Sequence, residues 1–132
     1  DGFMAIFGAP VFLEKHREHA VRAALEMIEL LKIFNEQRAI QGKRQIEIGI
    51  GIATGRVIAG YTGTQHRATY TCVGDTVNVA ARVENHTKVV GKPILIDQFT
   101  REGLSEQTHV EDLGEVLFKG KQQPIHVFAV NT

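Results

Sequence analysis

Between Gln45 and Gly55 the chain reads QIEIGIGIATG. Side chains of an extended chain alternate between two faces, so Ile46, Ile48, Ile50 and Ile52 share one face and Glu47, Gly49 and Gly51 the other. The isoleucines predict a strand with one buried face. The glycines opposite leave room for another element or a ligand to approach the backbone. A strand must pair, so the chain has to contain others. After the turn TGR (Thr54 to Arg56), VIAGYTG reads as a second strand, and the two predict a hairpin.

The remaining segments fill out the sheet and cover it. FMAIF, Phe3 to Phe7, is an apolar run closed by Gly8 and Pro10, and it reads as a buried strand. From Glu14 to about Gln41, Ala20, Ala24, Met27, Leu31 and Phe34 recur at intervals of three and four. Val21 and Ile28 widen that stripe, and Glu18, Arg22, Glu26, Glu29 and Glu36 lie opposite. This predicts a long amphipathic helix stopped by Gly42. RATYTCV predicts a strand, Asp75–Lys88 a helix, KPILID a short buried strand and QFTREGL a short helix. VEDLGEVLFKGK and PIHVFAV predict a closing strand pair linked near GKQQP. Mixed strands and helices with at least two hairpins give an α+β class with a partly antiparallel sheet.

Composition narrows the function classes. The 132 residues amount to one domain. Lys plus Arg balances Asp plus Glu at 15 each, which argues against a general nucleic-acid binder, so a site for an anion needs local positive charge. A single cysteine, Cys72, allows no intrachain disulfide and fits a reducing compartment, most simply the cytoplasm. No apolar run reaches the roughly 18 residues of a membrane span, and no signal peptide is visible. The chain starts at DGFMAIFG with a strand already under way, as expected of a piece of a longer protein.

Several apparent motifs lack their mechanism. GIGIATG has Thr54 where the dinucleotide fingerprint needs its third glycine, and no helix follows. The Gly-Lys pairs at 42–43, 91–92 and 120–121 lack the Ser or Thr of a phosphate loop. His16 and His19 are three apart but read as surface histidines, and Cys72 reads as a buried strand thiol rather than a nucleophile. YTCVGDTVNVAARVENH, Tyr70 to His86, differs from these. It runs from strand through a tight turn into a helix that projects Asn78 and Arg82 together, four residues apart, with Asn85 on the same side. The turn brings Thr71 near the start of that helix, so Thr71, Asn78 and Arg82 are expected to converge. Arg offers a fixed fork of donors to a phosphoryl oxygen, and Asn a donor and an acceptor to a ribose or hydroxyl. On spacing alone, a solvated helix face with an Asn–Arg hydrogen bond fits as well.

GDTVNVAARVE closely resembles the signature helix of the class III nucleotidyl cyclases, the adenylate and guanylate cyclases. Other segments match that family in the same order. DGFMAIFG resembles its second metal-site strand, IGIGIATGRVIAGYTG its central hairpin, YTCVGDTVN its base-reading strand and turn, and LFKGKQQPIHVFAV its closing pair. The resemblance covers nearly the whole chain. It implies one catalytic domain over 1–132 with the nucleotide cyclase fold: a ferredoxin-like or palm-type, largely antiparallel sheet flanked by helices. It also implies that an N-terminal strand and helices lie outside these residues. Those would carry the first metal Asp, a phosphate-gripping backbone turn and a base-reading Lys.

The resemblance implies an activity as well. The family converts a nucleoside triphosphate to a cyclic nucleotide and pyrophosphate by attack of the ribose 3′-hydroxyl on the α-phosphorus, assisted by two divalent cations, Mg²⁺ or Mn²⁺. Asp1 matches the second metal ligand, Asn78 the ribose-orienting Asn and Arg82 the Arg that stabilises transition-state charge. Lys119 matches a lysine on the β- and γ-phosphates, and Arg67 is a further candidate phosphate ligand. Thr71 matches the base-selecting position, where Asp or Thr accompanies adenine and Cys accompanies guanine. The three-residue spacing from Thr71 to Gly74 sets the register and favours ATP, whereas a slip of one residue would put Cys72 there. The backbone at Cys72 and Val73 is expected to line the purine pocket. The family's sites lie between subunits, so a head-to-tail homodimer with regulatory domains before or after it is implied. A guanylate cyclase, or an inactive cyclase-like dimerisation module, are the alternatives. The presence of Asn78, Arg82 and Lys119 weighs against the inactive module.

Overall fold

A computed structural model describes residues 2–132. Its centre is a four-stranded sheet in the order β1 (Ile50–Ile52), β4 (Ile94–Asp97), β6 (Ile125–Val130), β5 (Val110–Val116). β1 and β4 run parallel, while β6 is antiparallel to both β4 and β5, with a bulge between Asp112 and Glu115. Helix α1 (His16–Ile40) covers one face, and Val21, Ala24 and Ile28 pack on Ile94, Ile96 and Val130. Helix α2 (Asp75–Val90) covers the other, where Val79 and Val83 meet Leu95, Val127 and Ala129. Every residue of β4 is buried, which accounts for its unbroken apolar run. The mixed, antiparallel-rich α+β class read from the sequence is the class observed.

The glycine face of β1 receives a helix. A Cβ on Gly51 would meet the backbone of Glu84 and Ala80, and one on Gly49 would meet Thr87. Only glycine lets α2 lie this close to the strand. On the isoleucine face, Ile50 and Ile52 pack towards α1. The ladder covers only three residues. Ahead of it, Ile46 is held by a side chain, since Asn35 donates to its carbonyl at 2.8 Å and accepts from its N–H at 2.8 Å. α1 is so long that its C-terminal half passes the sheet, leaving Leu30, Ile33, Phe34 and Ile40 exposed.

Two expectations are corrected. β1 forms no hairpin with VIAGYTG. Instead β2 (Ile58–Thr64) pairs antiparallel with β3 (Arg67–Val73) over seven residues, in a separate two-stranded ribbon turned by Gln65 and His66. The parallel edge of β4 takes β1, and the Gly55–Arg56 bend turns the chain away. That bend is fixed to α2 by a hydrogen bond from Thr76 Oγ1 to the Arg56 carbonyl at 3.0 Å. Second, Phe3–Phe7 is neither a strand nor buried, with Phe3 at 83% exposure. No described backbone runs beside it, and an apolar run without a ladder partner forms no strand.

At the end of β4, Asp97 caps α3 (Gln98–Glu102). Its Oδ1 accepts from the Thr100 N–H at 2.9 Å and from Thr100 Oγ1 at 2.7 Å. Thr100 Oγ1 and Thr54 Oγ1 lie 2.7 Å apart, so this buried polar chain ties the exit of β1 to the exit of β4. Burial pushes the Asp97 carboxyl above its ordinary value, against the hydrogen bonds from Thr100. An acid with a raised folded pKa binds its proton more tightly when folded. Its ionisation therefore begins to cost stability above the unfolded value of 3.8, and the cost is complete once pH passes the folded value.

Two tests follow from this packing. Gly51→Ala should destabilise the protein by about 1–3 kcal/mol, because the obstructing atoms are backbone and cannot rotate away. It should be read as a lower urea midpoint at unchanged slope. Asp97→Asn should remove the pH-dependent cost, so the stability of the variant relative to wild type rises between pH 4 and neutrality in denaturation curves. A flat difference would mean that Asp97 ionises in the fold as it does in the unfolded chain.

Candidate active site

The sequence brings its chemistry to the start of α2. Gly74 precedes the helix at φ 142°, a conformation that favours glycine, and its carbonyl accepts from the Val77 N–H at 3.2 Å. Val79, Val83 and Thr87 form the buried stripe of the helix. Asn78 and Arg82 each stand one residue before a member of that stripe, about 100° round the helix. They therefore lie on the rim of the packed face, Asn78 exposed and Arg82 half-buried.

Beside them is an open cleft of about 530 Å³, lined by Asp75, Asn78, Arg82, Gly120, Lys121, Gln122 and Gln123. Its second wall is the β5–β6 connection. There the Lys121 N–H bonds the Phe118 carbonyl at 3.0 Å, closing a turn with Gly120 at φ 85°. This turn lies along α2. The Phe118 ring meets His86 edge-on at 5.3 Å between centroids. A Cβ on Gly120 would stand 3.2 Å from Arg82 Nη2. Lys121 Nζ binds both carboxylate oxygens of Asp75, at 2.6 and 2.7 Å.

Among the described residues, one buried side-chain nitrogen has no hydrogen-bond partner, and it is Arg82 Nε. An unpaired buried donor of a charged group is costly, and the guanidinium that carries it lines the cleft. With two cationic side chains, three neutral amides and one carboxylate already bound to Lys121, the cleft suits an anion with several oxygens.

The structure brings together Asn78 and Arg82 from the expected residues. Thr71, Cys72 and Val73 lie on β3 and do not line this cleft. Cys72 is buried, with its thiol 3.7 Å from Met4 Sδ, while Thr71 is half-buried opposite Gly60. Arg67 is exposed at the tip of the ribbon, and Lys119 is exposed outside the cleft lining. Asp1 lies outside the described residues. Asp75, Gly120, Lys121 and the two glutamines were not anticipated, although Lys121 stands in the same FKGK stretch as Lys119 and Asp75 in GDTVN. Among the described residues, no three His, Cys, Asp or Glu side chains are grouped to hold a metal.

Comparison with known proteins gives this arrangement a family. The profile of the adenylate and guanylate cyclase catalytic domain matches residues 1–132. Adenylate cyclase 1 of Rhizobium meliloti is 33% identical over 130 residues, which is 98% of this chain and 20% of that protein. The chain thus spans about a fifth of that relative's length. The crystal structure of the guanylyl cyclase Cya2 superposes with a TM-score of 0.87 at 33% identity, covering 98% of this chain and 68% of that one. The adenylyl cyclase CyaB from P. aeruginosa superposes at 0.85 with 28% identity, covering 100% and 70%. The sequence motifs, the sheet with its helices and the Asn–Arg cleft thereby resolve into one conclusion: the chain belongs to the class III adenylate and guanylate cyclase catalytic domain family.

Proposed function

We propose that this domain is the catalytic unit of an adenylate cyclase, converting ATP to 3′,5′-cyclic AMP and pyrophosphate at a site shared by two copies of the chain. In the reaction the ribose 3′-oxygen loses its proton and forms a bond to the α-phosphorus, while the bond from that phosphorus to the bridging oxygen breaks and pyrophosphate leaves. The observation that carries the reading is the cleft in which Asn78 and Arg82 stand together opposite the Gly120–Lys121 turn. A guanidinium held at the rim of α2 on the wall of that cleft is preorganised for charge that develops on phosphate oxygens. Asn78, one turn earlier, has the donor and acceptor to orient the ribose. Lys119 and Arg67 belong to the same reading as outer phosphate contacts.

The choice of ATP rests on Thr71. Neighbouring strand residues point to opposite faces. With the Cys72 thiol buried against Met4, Thr71 is the residue free to meet a base edge, and its hydroxyl can both donate and accept. The backbone of Cys72 and Val73 would complete the purine pocket. A guanylate cyclase is the second reading, favoured by the similarity to Cya2 and by a cysteine one position away.

Sharing of the site between subunits is supported by what the ribbon exposes. The described residues supply cations and amides but no cluster of metal-binding carboxylates. Mg²⁺ or Mn²⁺, when bound, would lower the proton affinity of the attacking hydroxyl and neutralise the leaving pyrophosphate. The described residues do not by themselves fit that role, and Asp1 is the sole candidate ligand proposed from this chain. The β2–β3 ribbon pairs only with itself yet exposes Ile58 and Val73 on one face and Tyr61 on the other, apolar groups suited to a second copy. The length of the Rhizobium relative supports sensor or regulatory domains beside the catalytic one. No described helix is long and apolar enough to cross a membrane, and a cytoplasmic location is part of the proposal.

Replacing Arg82 with Ala in the full-length protein should lower cyclic AMP formation from Mn-ATP by roughly 100-fold or more, the effect of losing a transition-state cation or donor. Equal rates would remove Arg82 from the chemistry. Assayed in parallel, ATP should have the higher kcat/KM than GTP, and Thr71→Cys should narrow the ratio. A wild-type preference for GTP would establish the second reading instead.

A further inference from the structure

Asp75 is the oddity of the cleft. It opens α2, where a carboxylate favours the helix dipole, but it is also seven residues before Arg82 on the same stripe. A free carboxylate there would repel a polyphosphate and compete for the guanidinium. Lys121 prevents both. Its ammonium sits between the two carboxylate oxygens of Asp75, at 2.6 and 2.7 Å, and its side chain is only 19% exposed. The same contact anchors one end of the turn whose other end, Phe118, rests on His86, with Gly120 lying across Arg82 between them.

We propose that Lys121 is a positioning residue of the nucleotide site. By binding Asp75 it offsets a negative charge in the cleft lining and pins the Phe118–Lys121 turn beside Arg82, so that the guanidinium keeps its place on the cleft wall for a substrate phosphate. This rests on the cleft being the nucleotide site, and it assigns Lys121 a role through Asp75 rather than through substrate. Asp75 is then tolerated at the head of α2 only because Lys121 is present.

The two residues form a cycle that separates this role from others. In the full-length protein, Lys121→Ala should lower kcat/KM for ATP by about fivefold, since the Asp75 carboxylate it leaves unpaired is 72% exposed and partly screened by water. Lys121→Arg, which keeps the charge, should retain most of it. Adding Asp75→Asn to Lys121→Ala should restore kcat/KM to that of Asp75→Asn alone, since the liberated carboxylate is then gone. A double variant as poor as Lys121→Ala overturns the proposal, because Lys121 would then touch substrate or merely hold the turn. An Asp75→Asn single variant better than wild type also overturns it, because Asp75 would then be restraining a substrate lysine. Calorimetric binding of inorganic tripolyphosphate by the same proteins separates the two layers. If wild type makes no cyclic nucleotide but binds tripolyphosphate with this pattern, the role of Lys121 stands and the enzymatic reading falls. If wild type does not bind it, both fall.

Discussion

The contact between α2 and β1 sets everything else in place. Gly51 lets the helix backbone at Ala80 and Glu84 rest against a strand backbone, and Gly49 makes room for the Thr87 side chain. Backbone meeting backbone has no rotamers through which to slip, so the helix is held in both rotation and translation. That rotation decides that Val79 and Val83 point inward and that Asn78 and Arg82 come out at the rim. The β1–β2 connection adds a second fixing point, with Thr76 bound to the carbonyl of Arg56. The angle at which Arg82 meets the cleft is thus determined on the far side of the helix, by residues without side chains.

The sequence revealed the elements with strong local periodicity. α1, α2, β4 and the β5–β6 pair all appeared from residue spacing or an unbroken apolar run, because each buries its own face against a neighbour. Pairing partners were harder to read. The alternation in QIEIGIGIATG specifies a strand but not its neighbour, and the neighbour is β4, more than 40 residues later. The ribbon turn uses Gln65 and His66, which lack the Asn-Gly or Gly-Gly pattern that marks a two-residue hairpin, so both strands are legible but not their pairing with each other. Phe3–Phe7 shows the limit plainly, since β propensity produces no strand without a backbone beside it.

For the site, what was legible is the part carried on one helix. Asn78 and Arg82 follow from a four-residue spacing that any helix must honour. The opposite wall comes from a turn some 40 residues further on, and its register decides which lysine of FKGK reaches the cleft. Lys121 lines it and Lys119 does not. The sequence presents both lysines equally, and only the turn at Gly120, with φ 85°, separates them. The ion pair to Asp75 was hidden for the same reason, since it spans 46 residues and has no local signal.

The β2–β3 ribbon shares no ladder with the central sheet, although β3 leads directly into Gly74 and the head of α2. Its amides can open and close without disturbing the core, as a separate cooperative unit of lower stability. Amide hydrogen exchange in that arm would therefore report the proposed docking of a second copy rather than global unfolding. A covering partner would slow exchange from Ile58 to Val73 and steady the strand that feeds the Asn–Arg helix. Protein concentration and the order of the arm then become two readings of one equilibrium.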